Sequence, residues 1–106
     1  MKFTKKDRGM LMPVYNFAKA KKIKLYLVGG ALRDLILKRK KENPDFDFCL
    51  KRGALNFGRR LAKEIRAAFV VLDEEHAACR LVKSSIFKPK FDLISHCLKH
   101  FSRINL

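Results

Sequence analysis

LYLVGGALRDLILKRKKENPDFDFCL, residues 25–50, holds an apolar strand, a Gly-Gly turn, a short helical segment and two aspartates one residue apart. A strand that runs through paired glycines into a helix start is suited to phosphate, because backbone N–H groups and the helix dipole converge there. Asp45 and Asp47, if they lie in a second strand, project from the same face, since side chains alternate with a period of two. Two carboxylates on one face beside a phosphate cradle point to divalent metals and to phosphoryl or nucleotidyl transfer. Each element has a plainer reading: the glycines as an ordinary turn, the aspartates as solvated residues on an exposed strand face. Their conjunction, with Arg33 and Asp34 at the helix start, favours the functional reading.

Outward from this stretch, the apolar pattern predicts a helix over residues 7–22, with Met10, Leu11, Val14, Phe17 and Ala18 on its inner face and Pro13 marking a start or an interruption. Residues 24–28 read as a strand and 31–39 as a helix presenting Leu32, Leu35 and Ile36. Residues 38–44 read as a basic loop. In the strand 45–50, Phe46, Phe48 and Leu50 face one way, while Asp45, Asp47 and Cys49 face the other. Residues 55–68 carry the clearest helical stripe. Strands are predicted at 69–72, 77–82 and 90–94, and a further helix is expected to begin in the tail from Cys97. The order suggests an α+β fold: a mixed, mostly antiparallel sheet with helices packed on one face.

A third carboxylate from a neighbouring strand would complete a two-metal site. Asp92, in KFDLIS, is the candidate, because an unpaired charge in an apolar strand is costly and alternation sets it out of phase with Phe91 and Leu93.

The 106 residues suffice for one domain with one core. Lys and Arg number 25 against 10 acidic residues, a formal charge of +15. Such a field favours a polyanionic partner: nucleic acid first, an anionic membrane surface a distant second, and incidental stickiness as the bland reading. No apolar run approaches the roughly 20 residues of a membrane span, and the basic N-terminus lacks the apolar segment and cleavage site of a signal peptide. A cytoplasmic protein is expected. Cys49, Cys79 and Cys97 form no CxxC pair and share no familiar ligand spacing with His76, His96 or His100, so no structural zinc is expected.

LVGGALRDLIL followed by DFDF resembles the head domain of the class II nucleotidyltransferases, the bacterial-type CCA-adding enzymes and poly(A) polymerases, whose motif has the form LVGGxVRDxLLGR and then DxDF. VVLDEEHAACRLV is similar to the strand-turn-strand that follows in that family, and FDLISH to the strand carrying its third acid, so the likeness runs from about Met10 to about His96. It implies a polymerase-beta-like nucleotidyltransferase fold. It also implies two magnesium ions held by Asp45 and Asp47, with Asp92 as third acid near the primer 3′-hydroxyl. Gly29 and Gly30 would admit the triphosphate of ATP or CTP, Arg33 would lie near phosphate, and Asp34 would orient the site. Arg33 as a plain surface charge is the alternative, and Arg80 would be a nucleotide or primer contact, with a cross-strand pair to Asp or Glu as its plainer reading. The implied partner is RNA, a tRNA 3′ end above all.

The chain departs from the family pattern in three places. Lys38-Arg39 stands for its Gly-Arg, Cys97 for an arginine after the third acid, and the sequence given stops before its Arg-Arg-Asp-Phe segment and its neck, body and tail domains. Residues 1–106 are therefore expected to be a single truncated or split head domain. Against that enzyme stands a catalytically incomplete RNA- or nucleotide-binding subunit that needs a partner chain. A small transferase modifying a protein or small molecule is a third possibility.

Overall fold

The computed structural model describes residues 5–28, 45–84, 89–95 and 102–103. Two helices, α1 (Lys5–Ala20) and α2 (Ala54–Ile65), accompany six strands: β1 (Tyr26–Val28), β2 (Asp45–Leu50), β3 (Ala67–Asp73), β4 (Ala78–Lys83), β5 (Lys90–Ser95) and β6 (Ser102–Arg103). The strands form one sheet in the order β3-β4-β5-β2-β1-β6. Only β2 and β5 run parallel; the other described neighbours are antiparallel. The α+β expectation, with a mixed and mainly antiparallel sheet, is met.

One side of the sheet is the core. Phe46 and Phe48 of β2, Leu81 of β4, and Phe91 and Leu93 of β5 are buried together with Leu11, Val14 and Ala18 of α1 and Phe57, Leu61 and Ile65 of α2. Phe91 stacks on both Phe46 and Phe48, at centroid distances of 5.8 and 6.2 Å. Phe17 meets Phe57 at 5.5 Å and joins the two helices. Each fully buried side chain of this kind contributes about 1.5–3 kcal/mol. That is why α1 continues through Pro13: the lost hydrogen bond and ring clash cost about 3 kcal/mol, and the burial of Leu11, Val14 and Ala18 offsets them.

Helix α2 lies close on the sheet because Gly58 has no side chain. A Cβ there would stand 2.6 Å from the Cys79 Sγ and 3.2 Å from a Leu93 methyl. Its N-terminus is tied to β5, since the Ala54 amide donates to the Ser95 hydroxyl at 2.8 Å. Its C-terminus differs from expectation. The apolar stripe predicts a helix to residue 68, but α2 stops at Ile65, because Arg66 adopts the left-handed conformation (φ 58°) and Ala67 opens β3 opposite Lys83. The tail also differs: Ser102–Arg103, placed in an expected helix, pairs antiparallel with β1, where backbone groups of the sheet edge offer a ladder. The helix predicted at 31–39 lies outside the described residues. Among the described residues no helix is long and apolar enough to cross a membrane.

Candidate active site

The face of the sheet opposite the helices carries the acids. Strand alternation buries Phe46 and Phe48 and turns Asp45 and Asp47 the other way, with Asp45 exposed and Asp47 half-buried. In β5 the same alternation buries Phe91 and Leu93 and turns Asp92 outward. Because β2 and β5 are parallel neighbours in matching register, Asp47 and Asp92 are direct cross-strand partners. Adjacent strands are about 4.8 Å apart, so the two carboxylates project side by side.

The register continues in both directions. Val28 of β1 is opposite Asp47, Arg80 of β4 is opposite Asp92, and Val70 of β3 is opposite Arg80. One row across the sheet thus reads Val28, Asp47, Asp92, Arg80, Val70. The next row sets Asp45 beside Lys90, then Val82 and Ala68. Lys90 did not figure in the sequence reading. Its signal was the phase of KFD against DFD, which aligns lysine with the first aspartate only once the strands are known to be parallel. Cys49 shares the acidic face by alternation but is buried, as is Leu50 on the other side, so the end of β2 is covered on both faces.

Arg80 does make the cross-strand pair. Its Nε donates to Asp92 Oδ1 at 2.8 Å and its Nη2 to Oδ2 at 3.0 Å, a two-pronged bond to a partly exposed carboxylate. These hydrogen bonds and the charge of Asp92, with smaller contributions from Asp45 and Asp47, hold the guanidinium still more firmly protonated than usual. All three acids therefore act on one cation. Their ligand oxygens do not all lie within 4.8 Å of one another. Among the described residues that spacing is met by Asp73, Glu75 and His76, exposed in the β3–β4 turn. There His76 Nδ1 sits 2.7 Å from Asp73 Oδ2, which holds the Asp73 carboxyl below its ordinary range and closes the turn.

The chemistry of Asp45, Asp47 and Asp92 fits divalent magnesium, since three hard carboxylates share one sheet face and two of them are register neighbours. Gly29 and Gly30 follow Val28 directly in the chain and, like Arg33 and Asp34, lie outside the described residues. The groove of about 700 Å³ lined by Met12, Pro13, Phe17, Ile65 and Arg66 contains none of the three acids.

Comparison with known proteins agrees with this architecture. A CC-adding tRNA nucleotidyltransferase of Synechocystis sp. is 45% identical over 56 residues, which are 53% of this chain and 14% of that protein. The solved CCA-adding enzyme of Thermotoga maritima complexed with tRNA superposes with a TM-score of 0.72 at 21% identity, over 87% of this chain and 21% of that one. A tRNA nucleotidyltransferase complexed with a primer tRNA and an incoming ATP analogue gives a TM-score of 0.59 at 26% identity, over 76% of this chain and 22% of that one. The chain thus spans about a fifth or less of the length of these relatives. Residues 25–96, more than half of the chain, match the family described as the Poly A polymerase head domain, and to that family this chain belongs.

Proposed function

We propose that this head domain transfers a nucleotide from ATP or CTP to the 3′-hydroxyl of an RNA, a tRNA 3′ end above all. The observation that carries the reading is the side-by-side placement of Asp47 and Asp92, with Asp45 on the same face. In this reading Asp45 and Asp47 hold two magnesium ions, with Asp92 as third acid beside the attacking hydroxyl. Bound there, magnesium supplies charge neutralisation for the triphosphate and a lowered pKa for the hydroxyl. The primer O3′ bonds to the α-phosphorus, the bond to the β-phosphate bridging oxygen breaks, pyrophosphate leaves, and the hydroxyl proton passes to solvent. Gly29 and Gly30 let backbone approach the triphosphate, Arg33 neutralises it, and Asp34 orients the site through hydrogen bonds. The formal charge of +15 draws the RNA to the domain. Structurally similar CCA-adding enzymes have been solved in complex with ATP, with CTP and with tRNA, which supports the choice of substrates. The cytoplasm, where tRNA is matured and used, is the proposed location.

A second reading is favoured by one observation: the formal charge of +15 suits the binding of RNA whether or not the domain catalyses transfer. Here the domain binds nucleotide and RNA but needs a partner chain to position base and primer, which supply much of such catalysis. Incubation with α-labelled CTP or ATP, magnesium and a tRNA lacking its terminal nucleotides separates the two. Label in the tRNA, abolished by Asp45→Ala/Asp47→Ala, supports the transferase. Metal-dependent nucleotide binding without transfer supports the incomplete subunit. Nucleotide binding indifferent to that double substitution overturns the site itself.

A further inference from the structure

Asp92 already has a cation. Both of its oxygens accept hydrogen bonds from Arg80, at 2.8 and 3.0 Å, in the fork geometry that makes guanidinium–carboxylate pairs strong. The guanidinium stands one strand from Asp92 and two from Asp47 in a single cross-sheet row. Among the described residues, Asp45, Asp47 and Asp92 are not gathered into a single ligand cluster. A divalent ion at Asp92 would face the guanidinium at contact range and be repelled by it.

We infer that Arg80 and a divalent cation are alternative occupants of Asp92, so that loading the acidic face with metal requires Arg80 to let go. The inference rests on the proposed function in one respect, that Asp45, Asp47 and Asp92 hold divalent ions. Arg80 is then a positioning residue with two states. In the metal-free protein it neutralises the third acid and keeps the carboxylates from repelling one another. Once released, it is a guanidinium on the same face as the arriving polyphosphate, and it exchanges a carboxylate for a phosphate partner. An arginine that merely braced Asp92 for the metal would behave oppositely, since its removal would weaken metal binding.

The test is Mn²⁺ titration of the full chain, followed by the loss of free-ion EPR signal, with thermal melting to confirm the fold. Arg80→Gln removes the competing charge and is expected to tighten Mn²⁺ binding about tenfold. Arg80→Lys keeps the charge and is expected to stay near the wild-type value. Unchanged or weaker binding by a folded Arg80→Gln overturns the inference. Should that variant not fold, the ¹⁵Nε resonance of Arg80 in the wild-type protein decides: it is expected to move when Mg²⁺ is added, and a fixed resonance overturns the inference. Asp45→Asn/Asp47→Asn is the control. Loss of Mn²⁺ binding there with no change in Arg80→Gln defeats this inference alone. Wild-type Mn²⁺ binding in the double variant defeats the proposed metal site and the inference with it.

Discussion

Asp47 on β2 and Asp92 on β5 occupy the same level of two adjacent parallel strands, although α2, β3 and β4 intervene between them in the chain. Two acids side by side, on a sheet whose reverse side is mainly apolar, form a focus of negative potential in a protein of charge +15.

Asp45→Ala/Asp47→Ala is expected to lower magnesium-dependent ATP or CTP binding at least about tenfold, because two of the three proposed ligands are removed. Isothermal titration with and without magnesium measures it. Circular dichroism should be unchanged, since Asp45 is exposed and Asp47 only half-buried.

Asp92→Asn is expected to separate stability from function. The Arg80–Asp92 pair is partly exposed, with side-chain accessibilities of 40% and 25%, so its loss costs no more than about 1 kcal/mol. Denaturant melts should show that small change, while nucleotide transfer falls far more.

Gly58→Ala is expected to destabilise the fold. Alanine gains about 1 kcal/mol of helix propensity over glycine, but the new methyl would sit 2.6 Å from Cys79 Sγ, against packed β-sheet. Overpacking costs about 1–3 kcal/mol, so a net loss of about 1 kcal/mol and a Tm lower by about 4–8 °C are expected in scanning calorimetry.

Cys79 should be inert at neutral pH. Burial pushes its thiol up to about 11, helped by the negative charge of Asp92 and opposed by Arg59. The unfolded thiol ionises first, so the folded state binds more protons between the ordinary thiol pKa and about 11. The contribution to stability is therefore complete below the ordinary value and is lost as pH rises through that window. Urea melts of wild type and Cys79→Ala across the alkaline range should show the wild type losing stability more steeply.

Much of this was legible from residues alone. DFDFCL has a strict alternation of acid and aromatic, and the strand falls on those residues. KFDLIS has the same phase and placed Asp92 opposite its buried neighbours. Pairing was not legible, because which strands become neighbours depends on how the hairpin β3–β4 folds across α2, a tertiary choice with no local signature. Lys90 beside Asp45 was hidden for the same reason. The end of α2 was misplaced because a left-handed Arg66 does there what glycine more often does. The tail was misread because its partner, the edge of β1, is remote in sequence. Gly29, Gly30, Arg33 and Asp34 lie outside the described residues.

The central parallel junction has a consequence for how the molecule matures. During synthesis β2 emerges early, but its acidic partner arrives only after an entire helix and hairpin have been made and β5 has slotted beside it. Non-local contacts of this sort form late, after the long intervening loop has been closed. A nascent or half-folded chain therefore carries its basic residues before Asp47 and Asp92 stand side by side, and the positive field precedes the acidic pair.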